Sequence, residues 1–175
     1  MKSFQDQKSL ILSYYDELEA ASAGSVKKVI SQFAAPDFKW YGVYPFNEQN
    51  GGDAVAEVFW IPFLSAWSNV QRRQDVFLAG INEIDNAVWV ISMGHFLGLL
   101  DGNWLGLPAS RKMTFLRYAD FNCIQDGKIV KGSFFCDLIG FINQLGINPL
   151  PPQTGASFIC PGPRTHDGLL FQSQD

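Results

Sequence analysis

Apolar residues recur at helical spacing near the start of the chain, where Leu10, Ile11, Tyr14, Tyr15 and Leu18 line one face of a segment running from about 5 to 21. Gly24 ends that pattern. Ser25, a residue type whose hydroxyl accepts from the free N–H groups of a helix start, opens a second amphipathic helix through Val26, Val29, Ile30 and Phe33. Pro36 breaks the helical period, and Phe38-Lys39-Trp40-Tyr41-Gly42-Val43-Tyr44 reads as a strand, followed by a Pro/Asn/Gly loop to Gly52. A third helix is predicted from about Asp53, its N-cap, to Trp67. Pro62 should kink or interrupt it, because proline lacks the N–H and its ring crowds the carbonyl one turn back.

From Val70 the apolar period shortens to that of strands, at 70–79, 87–98, 112–124 and 128–137, with turn signals at Asp85-Asn86 and Asp126-Gly127. These strands are expected to be antiparallel neighbours. The stretch 99–110, with Asp101-Gly102, Gly106 and Pro108, is too long for a tight turn and should fold over as a flap or bent hairpin. After Asp137 an apolar helix, Leu138 to Leu145, is stopped at Gly146. Helices first, then a run of strands, predict an α+β domain: a cone-shaped, curved antiparallel sheet packed against three to four helices, with any cavity on the covered face. The domain is placed at 1–146. The proline-rich, aperiodic tail at 147–175 is expected to dock, extended, on the domain or on a partner chain through Leu150, Phe158, Ile159, Leu169, Leu170 and Phe171.

Composition narrows the function. A chain of 175 residues, 47% hydrophobic and 17% charged, suits one domain with apolar side chains to spare for a pocket or an interface. The formal charge of -4 and basic pairs no longer than Lys27-Lys28, Arg72-Arg73 and Arg111-Lys112 make nucleic acid an unexpected partner. Met1 to Gln7 has no apolar core of a leader, and no run approaches the ~18 apolar residues of a membrane span, so a cytoplasmic protein with no membrane partner is expected. Cys123, Cys136 and Cys160 stand at wide spacings and read as small core residues. The sequence has no phosphate loop, dinucleotide glycine fingerprint, metal-spaced cluster or nucleophile elbow. The expected chemistry is therefore acid/base work without cofactor or metal, such as proton abstraction beside a carbonyl followed by aldol closure or isomerisation.

The segment Asp126-Gly127-Lys128-Ile129, the strand ending at Asp137, and Leu138-Ile139-Gly140-Phe141-Ile142-Asn143-Gln144-Leu145-Gly146 together resemble the closing signature of the SnoaL-like polyketide cyclases, within the nuclear transport factor 2-like superfamily. Upstream, Gly94-His95 followed by Leu105-Gly106-Leu107-Pro108-Ala109-Ser110-Arg111 is similar to that family's G-x-H strand and the loop after it. The likeness covers about residues 5 to 146. Ser133 stands where many relatives carry a tryptophan, and no threonine precedes the histidine, which points to a different ligand shape.

The resemblance implies that Asp137 is the general base and that His95 steadies an enolate oxygen. Read from the residues alone, strand alternation from Ile129 places Asp137 on one face with Ser133 and Phe135, and Asp137 could equally N-cap the helix after it. A regular Asp126-Gly127 hairpin would set Asp120 opposite Ser133, on the same face as Asp137, as a second pocket carboxylate or a surface group; one bulge would reverse this. Trp40, Tyr44, Phe59, Phe63 and Phe135 are candidate lining for a small apolar substrate, with plain core as the alternative for each. Phe115, Phe121, Phe134 and Cys136 fall on the opposite alternation, where a homodimer through the convex face of the sheet is expected. If the cone is not catalytic, the same fold would serve as a ligand-binding or dimerisation module.

Overall fold

The computed structural model describes residues 4–151. Helix α1 (Gln5–Ala20) buries Ile11, Tyr14, Tyr15 and Leu18, and α2 (Val26–Phe33) buries Val26, Val29, Ile30 and Phe33, the faces read from the sequence. Strand β1 (Ala34–Gly42) follows α2 directly and pairs with the short β2 (Glu48–Asn50). The third predicted helix is three pieces: α3 (Gly52–Val55), a π turn (Ala56–Trp60) and α4 (Ile61–Ala66). Pro62 sits in the first turn of α4, where a missing N–H costs little, and the widened π turn before it takes up the change of register.

The long strands β3 (Trp67–Ile81), β4 (Val88–Leu100), β5 (Met113–Gln125) and β6 (Lys128–Cys136) complete one curved sheet in the order β2-β1-β6-β5-β4-β3. The expected all-antiparallel sheet is corrected at one place: β1 runs parallel to β6. Apolar alternation reports which face a residue occupies but not the direction of a neighbour far away in sequence.

At the tip of the β5–β6 hairpin, Asp126 and Gly127 have φ of 50° and 71°, the two left-handed positions of a type I′ turn. The pairing then slips. Ile124 faces Ile129 but Cys123 faces Lys131, so Val130 is an extra residue in β6, a β-bulge. Beyond it the faces are exchanged, and Asp120 lies opposite Phe134 rather than Ser133.

The segment between β4 and β5 folds back as the expected flap. Its tip is a tight turn at Leu105 and Gly106 (φ 53° and 76°) closed by the Trp104–Leu107 bridge, and the N–H groups of Asp101 and Gly102 both reach the Ala66 carbonyl. Trp104 is thereby driven into the wide end of the cone, its ring 5.0 Å from Phe141 of α5 (Leu138–Gln144) and 5.9 Å from Trp67. Aromatic rings fill the interior. Phe59 alone stands 4.8 Å from Phe134, 5.0 Å from both Phe46 and Trp60, and 5.5 Å from Phe63. Among the described residues no helix is long and apolar enough to cross a membrane. Of the tail, only 147–151 is described, and Leu150 is exposed there; the docking expected of Phe158, Ile159, Leu169, Leu170 and Phe171 falls outside the described residues.

Candidate functional site

Between α1 and the inner face of β3, β4 and β5 the apolar filling gives way to a buried polar cluster. Helical spacing turns Tyr14 and Tyr15 of α1 inward, while strand alternation brings Arg72 of β3, Ser92 of β4, and Tyr118, Asp120 and Asn122 of β5 onto the same face. Tyr15 donates its hydroxyl to Oδ2 of Asp120 at 2.8 Å and accepts from Nδ2 of Asn122 at 3.2 Å. Arg72 Nη1 stands 3.8 Å from the same Oδ2, an ion pair whose side chains are 5% and 8% exposed. The guanidinium lies over the rings of Tyr15, Phe96 and Tyr118, at 3.8, 4.6 and 4.7 Å. A second chain of hydrogen bonds joins the Tyr118 hydroxyl to Ser92 Oγ (2.9 Å), which takes a further bond from Gln74 Nε2 (3.0 Å).

The electrostatics follow from burial. Loss of solvent pushes the Asp120 carboxyl above its ordinary range, and Arg72, Tyr15 and Asn122 pull it back only in part. Burial likewise raises both phenols, Tyr14 and Tyr15, so they remain protonated donors. A cavity of about 20 Å³ opens beside Arg72, walled by Tyr15, Leu18, Trp60, Phe63 and Phe96, with the less buried Glu19, Leu64 and Val70 on its outer side. That is room for about one water.

Two of the expected site residues lie elsewhere. Asp137 is exposed at the end of β6, and its Oδ1 accepts the Gly140 N–H at 2.7 Å, the N-cap of α5. His95 projects from the outer face with a side chain 29% exposed, its Nδ1 3.8 Å from Asp75 and its ring 5.6 Å from Phe115. Neither points into the cone. The structure does bring them together on the outside, in a cleft of about 290 Å³ with Phe115, Arg117 and Gln144. Across the sheet His95 pairs with Arg73 on one side and Arg117 on the other, a row of basic side chains on the outer face.

The Val130 bulge explains most of these corrections. It carries Ser133, Phe135 and Asp137 to the outer face and Phe134 to the inner one, so Phe135 is 53% exposed instead of lining a pocket and Phe134 is core instead of interface. Asp120 lies inside by the alternation of β5 itself, so the slip separates it from Asp137. Tyr44, expected as lining, lies past the end of β1 and is 82% exposed. Trp40, Phe59 and Phe63 are buried as expected, but Trp40 and Phe59 pack in the aromatic filling and Phe63 alone of the three borders the cavity. Arg72, Tyr15, Asn122, Tyr118 and Ser92 were not among the candidates. Their signal is a polar group on the apolar parity of an element: Arg72 alternates with Val70, and Asp120 and Asn122 with Leu116, Tyr118 and Ile124.

On the outer face a groove of about 540 Å³ runs over Leu78, Trp89, Ile91, Phe121 and Phe135. Among the described residues no group of three or more His, Cys, Asp or Glu side chains is gathered as metal ligands would be.

No sequence-family model matches the chain, and no curated protein matches it in sequence. Solved structures do. A proposed SnoaL-like polyketide cyclase from Jannaschia sp. CCS1 superimposes with a TM-score of 0.63 at 18% identity, over 85% of this chain and 94% of that one. IdmH, a proposed polyketide cyclase from Streptomyces antibioticus, gives 0.62 at 14% identity, over 79% and 97%. An NTF2-like protein from Burkholderia thailandensis gives 0.56 at 18% identity, over 80% and 96%. At such identities the likeness is one of fold, and it agrees with the six-stranded curved sheet, its covering helices and the closing helix α5. The chain therefore has the nuclear transport factor 2-like fold in the form shared with the SnoaL-like polyketide cyclases.

Proposed function

We propose that the protein is a cofactor-free acid/base catalyst that takes a proton from the carbon beside a carbonyl, with Asp120 as the base. One observation carries this reading: a carboxylate with a raised pKa is buried beside an ion-paired arginine and a phenol, and those two partners line a cavity that opens to solvent. A carboxylate whose pKa is raised accepts a proton from carbon more readily than an ordinary aspartate. Tyr15 supplies an O–H that can turn from Asp120 to a substrate oxygen. A polycyclic body would need several hundred Å³, so the cavity of about 20 Å³ suits the carbonyl end of a small apolar compound, with the rest against the half-buried Leu64 and Val70. Structures described as proposed polyketide cyclases and as a proposed isomerase stand among the neighbours, which accords with this reading.

The test is deuterium exchange from heavy water into a panel of small ketones, followed by NMR. Asp120→Asn should lose roughly 100-fold to 10,000-fold in rate. Asp137→Asn should keep the wild-type rate; the reverse pattern would move the reacting centre to the outer cleft with His95.

A second reading is favoured by the filled cone. With rings packed around Phe59 and the larger concavity lying outside, the fold could serve as a homodimerisation module through the groove at Phe121 and Phe135. Absence of exchange in every ketone, together with a stable dimer, would select this reading.

A further inference from the structure

Arg72 brings a full charge into the cone without the hydrogen bonds that usually accompany one. Its side chain is 5% exposed, and neither Nη1 nor Nη2 has a partner in hydrogen-bond geometry, the Tyr118 hydroxyl lying close enough only to favour the charge. Aromatic rings occupy the space over the guanidinium, so acceptors must approach along its edge. Asp120 does not meet this need: it comes no closer than 3.8 Å, and its Oδ2 is already taken by Tyr15. The cavity beside Arg72 has walls of Phe63, Leu64 and Val70, which bring no side-chain acceptor. Glu19 at its lip is engaged with the backbone N–H of Arg72 at 3.2 Å.

We infer that the edge of Arg72 is a subsite for a singly charged oxygen anion of the carboxylate or enolate class, and that filling it is accompanied by uptake of one proton on Asp120. The charges dictate the second half. Arg72 and ionised Asp120 sum to zero. A further negative charge in the same buried space would stand unbalanced until Asp120 takes a proton, which restores neutrality. Burial already tilts Asp120 that way. The groups around it do not compete for the proton: Tyr14 and Tyr15 from α1 are held protonated, Arg72 from β3 is cationic, Asn122 from β5 and Ser92 from β4 have no carboxyl or amine to titrate, and the Tyr118 hydroxyl from β5 is bonded to Ser92 Oγ.

The inference deepens the acid/base reading and rests on it for the catalytic meaning of the subsite, though not for binding. When Asp120 removes a proton, the C–H electron pair becomes part of a C=C bond and the carbonyl π pair moves onto oxygen. The result is an enolate on Arg72 beside a neutral Asp120. A bound carboxylate with protonated Asp120 has the same charges in the same places.

The probes are acetate and benzoate, with neutral benzamide as control, followed by calorimetry in buffers of different ionisation enthalpy. Above the Asp120 pKa benzoate should bind with uptake of about one proton, its affinity falling about tenfold per pH unit. Arg72→Lys keeps the charge but loses the fork, and should weaken benzoate roughly 10-fold to 100-fold. If that variant does not fold, Arg72→Met combined with Asp120→Asn keeps the core neutral and should bind benzoate no better than benzamide. Glu19→Gln should leave the proton uptake in place. Binding without proton uptake above the Asp120 pKa, uptake abolished by Glu19→Gln, unchanged affinity without the guanidinium, or no carboxylate binding below the Asp120 pKa would each overturn the inference. Carboxylate binding with uptake but no deuterium exchange retires the catalytic reading and leaves the subsite; exchange without carboxylate binding does the opposite.

Discussion

The side-chain amide of Gln144 satisfies both backbone groups of Phe115: the Phe115 N–H donates to Oε1 at 2.8 Å, and Nε2 donates to the Phe115 carbonyl at 2.8 Å. Strand β6 ends at Cys136, opposite Tyr118, which leaves the β5 edge at Phe115 without a neighbouring strand. Gln144 acts as a one-residue strand there and pins α5 to the sheet. Gln144→Ala should cost about 1–3 kcal/mol, the sum of two hydrogen bonds. Amide exchange checks the origin of the loss, since the Phe115 N–H should lose protection in the variant before its neighbours do.

Asp120 gives the protein a pH signature. Its folded pKa is raised by burial, so between the unfolded value, about 3.9, and the folded one the native state binds more protons than the unfolded chain. The sign follows: the contribution to stability is fully present below the unfolded pKa and is lost as pH rises through the folded pKa. Asp120→Asn removes the titration. In urea melts the difference in stability between variant and wild type should therefore move in favour of the variant as pH rises from about 4 to 7. A constant difference would mean that Asp120 titrates alike in both states.

Trp104 is the largest fully buried side chain of the flap, wedged among Trp67, Phe63 and Phe141. Trp104→Ala should cost about 3–5 kcal/mol through the cavity it leaves, read as a lower urea midpoint with unchanged slope.

The outer face offers Leu78, Met93, Phe115 and Phe135, all 45% or more exposed, around Trp89 and Phe121. A homodimer seated on this face is expected. Phe135→Lys should shift the sedimenting species from dimer to monomer at micromolar concentration, because a lysine set in an apolar interface must be desolvated. An unchanged dimer would place the interface elsewhere.

Much of the fold was legible in the sequence. The helical faces of Leu18 and Ile30, the Asp126-Gly127 turn and the stop at Gly146 are local signals, written by neighbours a few residues apart. The site was less legible, since facing depends on parity and parity on a bulge. Val130 carries no mark that distinguishes it from a regular strand residue, yet it decides that Asp137 does not share the inner face with Asp120. The N-cap alternative for Asp137 could be read from the residues, and it describes the contact present. The parallel pairing of β1 with β6 joins segments roughly 90 residues apart and has no local trace.

The bulge at Val130 also works as a switch in the reading frame of the strand. Every position between it and Asp137 is assigned to a face by counting from one inserted residue, so removing that residue is equivalent to turning the end of β6 over. A chain lacking Val130 would have to choose. It could keep its hairpin and present Phe135 and Ser133 to the core while expelling Phe134, or keep its core and break the pairing with β5. Loss of a single codon here would thus turn Asp137 onto the face that Asp120 already occupies, without any substitution at either aspartate.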